Sequence, residues 1–447
     1  MSKNNHVLSS DFKRNYPRVT HGKGIYMYTE DGQELIDGAS GPVLVSLGHG
    51  NEFMIEAMHE QAKKIVYAHR DDCVTEVLEQ ACEGIYELSD SLLDKSFFVS
   101  GGSEANECAI KLARSYHLFR GNPGKFKVMS RWQSYHGSTD GVLSVSGFTS
   151  RRAGYEPYLR EYGHVPPAYC YRCWYGRECG KCNFECAKAL EYEIMAQGPE
   201  TVSAFIAEPI EGMSIPGAVP PDGYFREIKR ICEKYDVLLI VDEVMAGMGR
   251  TGKAFSYQHF GIEPDIVSTA KAIGGGYYPL GAVSITKRVF DEMDKNGGSF
   301  GQGYSWGGNP MGGAMAVATF KYLKEHDLIN RVAQLGEYLK KQINERLVPK
   351  HSMIGDVRGR GLMIGIELVK NRKTKESFDP ALGLSTLINR EANKHGLIIE
   401  SSSGCNHGQS GDCLMISPAF IITEEQIDEL LRRLDESITV IEEKHKL

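Results

Sequence analysis

The chain has 447 residues and a mass of 49.6 kDa, which predicts a large core with at least one smaller unit and excludes a single small binding module. Its 51 basic and 58 acidic residues give a formal charge of −7, so no bulk basic field exists for nucleic acid or an anionic membrane. The longest aliphatic run, Val237 to Val241, is far shorter than the roughly 20 residues of a membrane span. With no apolar leader in the first ten residues, we expect a cytoplasmic protein with reduced cysteines.

The elements in chain order begin with turn chemistry at residues 30–33, which predicts a β-hairpin. From about residue 93 to 285, short apolar runs alternate with segments of helical period, the pattern of β-α-β units around a mostly parallel sheet. The predicted strands are Phe97–Ser100, Phe126–Ser130, Ser203–Ala207, Val237–Asp242 and Asp265–Thr269. The run from Val237 has no polar interruption, so we expect both of its faces to be covered.

The pattern changes after Pro310 to helices and then to a compact C-terminal unit. The predicted elements are helices at Ala314–Glu325 and Leu335–Leu347, strands at Gly361–Val369 and Leu414–Ser417, and a closing helix. Thr423 followed by Gln426 is the signature of a capping box that starts this last helix. We therefore predict an α/β fold with a large domain at residues 46–329 and a smaller α+β domain formed by residues 1–45 and 330–447.

The first chemical signal is the segment Val99 to Glu107, where a strand runs into Gly102 and Ser103 and then into a helix. Glycine lets backbone amides approach an anion, and a helix N-terminus supplies free N–H groups and a positive dipole end. This pattern is typical of a phosphate cradle, although it lacks the lysine of a P-loop. A glycine-rich turn before an ordinary helix is the alternative interpretation.

Two further signals follow predicted strands. Asp242 ends a buried strand, where open α/β sheets bind ligands, and its carboxylate needs a cation or a donor there. Lys271 ends the next strand, where partial desolvation favours an imine with an aldehyde. Taken separately, a metal-binding or helix-capping acid and a surface lysine remain alternatives. Together with the phosphate cradle, the two residues supply what pyridoxal 5′-phosphate requires.

With these residues the sequence resembles the class III (ω-amino acid) aminotransferases, which are fold-type I pyridoxal-phosphate enzymes. The resemblance runs from Gly38-Ala39-Ser40-Gly41 near the start to Ile416-Ser417-Pro418 near the end. It implies a large domain with a mostly parallel, seven-stranded type of sheet. It also implies a ping-pong transaminase, in which a small-molecule amino donor and then a keto-acid acceptor react at one site.

The resemblance also assigns site residues. Those implied to bind the cofactor are Gly102, Ser103, Tyr135, His136, Glu208, Asp242, Val244, Lys271 and Ser305. Lys271 resembles the Schiff-base lysine that moves the proton, Asp242 the partner of the ring nitrogen, and Tyr135 the aromatic residue stacked on the ring. Ser305 stands where the family usually has a threonine that reaches the neighbouring subunit's phosphate. This implies a homodimer, or a tetramer built from dimers.

The sequence departs from the family near its C-terminus. Many relatives carry a carboxylate-binding arginine two residues before the Ser/Ala-Pro pair, where this chain has Met415. Arg18, Arg151 and Arg152 are substitutes by availability, with solvated surface arginines as the alternative. Because the arginine is missing and residues 418–420 resemble members that act on taurine, we predict a donor of the taurine or β-alanine type, with 2-oxoglutarate or pyruvate as acceptor. Rivals are a mutase, racemase or decarboxylase of the same fold.

A cysteine-rich segment interrupts the large domain at about residues 168–187. Its two C-x-x-C pairs, Cys170 with Cys173 and Cys179 with Cys182, are typical of a structural zinc site, although the spacer is short. Reduced or disulfide-linked thiols are the alternative, and an inactive core with a zinc-ribbon interaction role is a further rival function. Cys405, His407 and Cys413 form a looser group in a predicted Gly/Ser-rich loop, for which a structural role is the simpler interpretation.

Overall fold

A computed structural model describes residues 6–8, 11–12 and 14–447. The strands are β1 (Val19–Lys23), β2 (Tyr26–Thr29), β3 (Glu34–Asp37), β4 (Leu93–Val99), β5 (Lys127–Arg131), β6 (His164–Val165), β7 (Val202–Ala207), β8 (Leu238–Asp242), β9 (Ile266–Ala270), β10 (Gly281–Thr286), β11 (Ile354–Arg360), β12 (Met363–Leu368), β13 (Leu397–Ile398), β14 (Glu400–Asn406) and β15 (Ser410–Ile416). The α-helices are α1 (Ser40–Val43), α2 (Glu52–Lys64), α3 (Glu76–Leu88), α4 (Gly102–Phe119), α5 (Asp140–Val145), α6 (Thr149–Arg152), α7 (Glu185–Gln197), α8 (Tyr224–Lys234), α9 (Lys287–Lys295), α10 (Pro310–Glu325), α11 (Leu328–Gln342), α12 (Leu384–Lys394) and α13 (Glu424–His445).

The central sheet has seven strands in the order β4-β10-β9-β8-β7-β5-β6. Strand β10 pairs antiparallel with β4 and β9, and the other pairs are parallel. Every residue of β7, β8 and β9 is buried, as expected where helices cover both faces of a parallel sheet. The predicted mostly parallel α/β sheet is therefore confirmed, and each predicted strand overlaps an observed one.

The described residues form two smaller sheets besides the central one. One has the order β1-β2-β3-β13, so that the predicted hairpin, formed by β2 and β3, pairs with a strand from the C-terminal part of the chain. The other has the order β11-β12-β15-β14 and is antiparallel throughout. The domain boundaries at residues 45/46 and 329/330 stay predictions.

The predicted closing helix is observed as α13. The Thr423 side chain accepts from the Gln426 backbone N–H at 3.2 Å, and the Gln426 side chain accepts from the Thr423 N–H at 3.0 Å, which completes the predicted capping box. Its buried face comprises Ile427, Leu430, Leu431, Leu434, Ser437, Ile438 and Ile441. None of the helices in the described part of the chain is long and apolar enough to cross a membrane.

Candidate active site

The central sheet brings the two predicted reactive residues to one edge. Asp242 is the last residue of β8, Lys271 directly follows β9, and these strands are parallel neighbours. Both side chains line a cavity of about 300 Å³. Its lining residues are Pro42, Gly102, Ser103, Tyr135, His136, Gly137, Phe148, Arg151, Glu208, Met213, Asp242, Val244, Met245, Lys271 and Glu400. Eight of the nine sequence-predicted cofactor residues are thus together, and Ser305 is the exception.

The predicted phosphate cradle lies at the N-terminus of α4, which begins at Gly102. A Cβ atom on Gly102 would lie 2.7 Å from Val244 Cγ1, so this position requires glycine. Ser103 Oγ accepts a hydrogen bond from the Ser138 N–H at 3.1 Å. The first turn of an 18-residue helix therefore opens into the cavity with free N–H groups, a suitable place for an anion.

Asp242 is held as an acceptor by three donors. Its side chain is 3 % exposed and accepts from Asn106 Nδ2 at 2.8 Å, His136 Nδ1 at 2.8 Å and the Val244 N–H at 3.0 Å. An ionised carboxylate only accepts, so the His136 proton resides on Nδ1. The arrangement fixes a buried carboxylate at the floor of the cavity, where it can pair with a protonated ring nitrogen. Sequence reasoning missed Asn106, whose only signal was its place one turn into the cradle helix.

Lys271 supplies a primary amine to the cavity. Desolvation by burial lowers its pKa from the ordinary 10.5 to about 8, with Asp242 and Glu208 acting in the opposite direction. Its side chain makes no hydrogen bond or ion pair with residues in the described ranges, and its backbone has a φ of 53°. A lysine with this pKa has a reactive free amine near neutral pH, which suits it to bond an aldehyde.

Glu208 fixes the segment that carries Tyr135. Its Oε2 accepts from the Tyr135 N–H at 3.0 Å, and its Oε1 accepts from the Gly212 N–H at 2.9 Å. The Tyr135 hydroxyl lies 2.7 Å from Ser138 Oγ, and its ring lies edge-on to Phe148 with 6.3 Å between centroids. Tyr135 therefore lines the cavity on a backbone that one hydrogen bond to the Glu208 carboxylate holds in place.

The donor set of this cavity fits a phosphorylated pyridine aldehyde: an anion cradle, a buried carboxylate, an aromatic face and a lysine. The family model for class-III aminotransferases matches residues 10–438. The chain belongs to the class-III aminotransferases. Its fold is accordingly the fold-type I α/β architecture, and it is an enzyme of the transaminase type.

Named relatives of this class-III aminotransferase differ in substrate. A taurine–pyruvate aminotransferase of Bilophila wadsworthia is 33% identical over 95% of this chain and 93% of its own length. A putrescine–pyruvate aminotransferase of Pseudomonas aeruginosa is also 33% identical, over 92% of this chain and 88% of its own. The crystal structure of an ω-transaminase from Pseudomonas jessenii in complex with PMP has a TM-score of 0.88 and 30% identity, and covers 96% of this chain and 93% of that one.

The three candidate arginines of this class-III aminotransferase have different surroundings. Arg151 lines the cavity and is exposed at its rim. Arg152 is 2 % exposed and donates to Glu156 and to backbone carbonyl oxygens, so it is structural. Arg18 lies outside the cavity and forms an exposed ion pair with Glu30 at 3.5 Å. Met415 is fully buried and does not line the cavity, whereas Arg151 does.

The predicted zinc site is not supported. In the described part of the chain, no three of the sulfurs of Cys170, Cys173, Cys179 and Cys182 lie within 4.8 Å of one another. Burial and the neighbouring thiols raise the pKa of Cys170, and burial raises the pKa of Cys186 to about 11. The physical reason is the short spacer, which is folded into irregular turns.

The second cysteine group lies on a β-hairpin, so the predicted Gly/Ser-rich loop was wrong. Cys405 is in β14 and Cys413 in β15, and both sulfurs lie within 4.8 Å of a Glu367 carboxylate oxygen. Arg358 donates to Glu367 Oε2 at 2.7 Å and to Cys413 Sγ at 3.4 Å. Because a guanidinium already pairs with these groups, we assign the cluster a structural role.

Proposed function

We propose that this chain binds pyridoxal 5′-phosphate in the cavity and transfers the amino group of an ω-amino acid or aminosulfonate, of the taurine or β-alanine type, to 2-oxoglutarate or pyruvate. The observation that carries the proposal is the placement of Lys271 and Asp242 on adjacent parallel strands in one cavity. When bound, the cofactor supplies an aldehyde that accepts an amine and a ring that takes up electrons from the donor carbon.

The chain's own residues then have distinct tasks. The α4 N-terminus, with Gly102 and Ser103, binds the phosphate. Asp242 would keep the ring nitrogen of the cofactor protonated. Asn106 and His136 orient the Asp242 carboxylate through their hydrogen bonds. Lys271 Nζ would hold the cofactor at rest and, once released, would take a proton from the donor carbon and deliver it to the aldehyde carbon of the cofactor. Tyr135 and Val244, which both line the cavity, would cover the two faces of the ring.

Recognition of the donor's acid group falls to Arg151. It is the arginine that lines the described cavity, and it stands in for the carboxylate-binding arginine that Met415 replaces. A relative named for taurine supports an acid-bearing donor, and one named for putrescine shows that relatives of equal identity also act on donors without an acid group.

A homodimer completes the proposed site. Ser305 is exposed and lies outside the cavity of its own chain, next to Trp306, which is 60 % exposed. Aromatic residues such as tryptophan are enriched at protein interfaces relative to the rest of the surface. We propose that this segment packs on a second copy of the chain and that Ser305 donates to the phosphate bound there.

Purified holoenzyme should be given taurine, β-alanine, 4-aminobutyrate and a plain alkylamine, each with pyruvate and with 2-oxoglutarate. We expect amino transfer that requires a keto acid, with taurine and β-alanine as better donors than the alkylamine. Far better turnover of 4-aminobutyrate or the alkylamine would contradict the proposed donor class. Product formed without any keto acid would instead indicate a mutase, racemase or decarboxylase.

A further inference from the structure

Cys405 and Cys413 are two buried thiols that lie side by side on the hairpin of β14 and β15. Their exposed fractions are 1 % and 0 %, and their sulfurs lie within 4.8 Å of each other. A Cβ at position 411 would lie 2.5 Å from Cys405 Sγ, so Gly411 leaves the space that this sulfur occupies beside the neighbouring strand. The ion pairs of the cluster account for its structural role, but they do not explain why two free thiols meet there.

The two thiols differ in their tendency to ionise. Arg358 Nη2 donates to Cys413 Sγ at 3.4 Å. Although burial acts in the opposite direction, the Cys405 thiol and the Arg358 guanidinium lower the pKa of Cys413. The hydrogen bond to Cys413, together with burial, raises the pKa of Cys405 well above its ordinary value. Cys413 is therefore the member of the pair that ionises first, and Cys405 stays protonated beside it.

The carboxylates near Arg358 do not cancel the positive charge beside this sulfur. Arg358 also donates to Glu367 at 2.7 Å and to Asp356 at 2.9 Å. Arg172 donates to Glu367 as well, and Lys375 is a further cation close enough to act on that carboxylate. Three cations thus surround two carboxylates, which leaves one positive charge to balance a thiolate.

A cavity of about 590 Å³ brings small molecules close to the pair. Tyr169, Tyr171, Ala218 and Arg358 are among the residues that line it. The first three belong to the same hydrophobic cluster as the two cysteines, and Arg358 extends from the cavity to Cys413 Sγ. A molecule the size of water in this cavity is therefore separated from the sulfurs by a single layer of side chains.

We propose that Cys405 and Cys413 form a redox-active dithiol that reduces a small peroxide and becomes a disulfide. The Cys413 thiolate attacks one peroxide oxygen and the O–O bond breaks. Cys413 becomes a sulfenic acid, and the other oxygen takes up a proton and leaves as water or an alcohol. The Cys405 sulfur then attacks the Cys413 sulfur, and the sulfenic oxygen leaves as water with the Cys405 proton.

The electrons of this reaction balance within the pair and the peroxide. The two thiols lose two electrons, which reduce the O–O bond, and a small external dithiol returns them by thiol–disulfide exchange. The site goes beyond the proposed transamination, because neither cysteine lines the cavity of Lys271 and Asp242.

Differential alkylation of the purified holoenzyme tests the pair directly. After treatment with hydrogen peroxide, the protein is quenched in acid and unfolded, and its remaining thiols are alkylated before peptide mapping. We expect Cys405 and Cys413 to lose alkylation together and to give a cross-linked peptide that dithiothreitol removes. Their loss should be about 10-fold faster than that of Cys232, since the thiolate is the reacting form.

Cys232 is the matched control for burial. Its exposed fraction is also 0 %, and burial raises the pKa of its thiol. Equal rates of loss at Cys413 and Cys232, or the absence of a peptide that links Cys405 to Cys413, would overturn the proposal.

Variants assign the two steps to the two cysteines. Cys405→Ser removes the thiol that resolves the sulfenic acid, so peroxide should leave an adduct on Cys413 when the protein is unfolded in dimedone. In Cys413→Ser, Cys405 should give no such adduct. Retained cofactor binding shows that both variants are folded, because neither substitution lies in the cofactor cavity. Equal adducts in the two variants, or none in either, would overturn the proposed roles.

Discussion

At the scale of single residues, the site depends on one buried carboxylate and one buried amine. Asp242 is buried, yet three donors keep it an acceptor, so its charge is available to a ligand cation. Desolvation by burial lowers the pKa of Lys271 to about 8 and so favours its neutral form. One residue therefore supplies fixed charge and the other a reactive amine.

The lowered pKa of Lys271 predicts the pH dependence of cofactor loading. Only the neutral amine bonds an aldehyde, so loading of the apoprotein should accelerate as pH rises and level off above about 8, the pKa of Lys271. Stopped-flow absorbance after mixing apoprotein with pyridoxal 5′-phosphate from pH 6 to 10 measures this. A midpoint near the ordinary lysine value of 10.5 would show that the amine is not desolvated.

At the scale of elements, the turn between β4 and α4 predicts different tolerance at two adjacent glycines. A Cβ on Gly102 would lie 2.7 Å from Val244 Cγ1 at the phosphate cradle, whereas a Cβ on Gly101 meets nothing within 4 Å. Gly102→Ala should weaken cofactor affinity by roughly 10-fold or more, since a shift of a few tenths of an ångström costs 1–3 kcal/mol in a packed site. Gly101→Ala is the matched control. Equal cofactor affinities of the two variants in a fluorescence titration would exclude phosphate binding at the N-terminus of α4.

The sequence predicted the elements whose signals are local. The uninterrupted apolar run of β8, the helical spacing of α4 and the capping box of α13 are all confirmed. Strand β14 and the first half of β15 were missed because their Gly- and Ser-rich residues have low strand propensity and are held by pairing with neighbouring strands. The antiparallel direction of β10 also depends on contacts distant in sequence.

The difference between local signals and contacts distant in sequence also explains which site residues could be predicted. Gly102, Asp242 and Lys271 each end or follow a recognisable strand, so their positions at one sheet edge could be predicted from the sequence. Glu400 was not predicted from the sequence, because its place in the cavity depends on the pairing of β14 with β15. Asn106 is recognised only when its contact with Asp242, 136 residues later in the chain, is seen.

At the scale of the whole molecule, the proposed site is shared between two chains. Complementation between two variants tests whether it is shared. Ser305→Asp places a negative charge at the proposed phosphate contact and should lower activity by about 10-fold or more. Lys271→Ala should be inactive. If Ser305 acts across the interface, co-refolding the two variants restores one intact site per hybrid dimer, and activity returns. No recovery in hybrids confirmed by native mass spectrometry would indicate that Ser305 acts within its own chain or not at all.

The most direct test of the account is to find the side chain that holds the cofactor. The holoenzyme should be reduced with borohydride, digested and mapped by mass spectrometry. We predict a single pyridoxyl adduct on Lys271, the lysine that lines the cavity beside Asp242. An adduct on another lysine, or no adduct in fully loaded protein, would contradict the central claim.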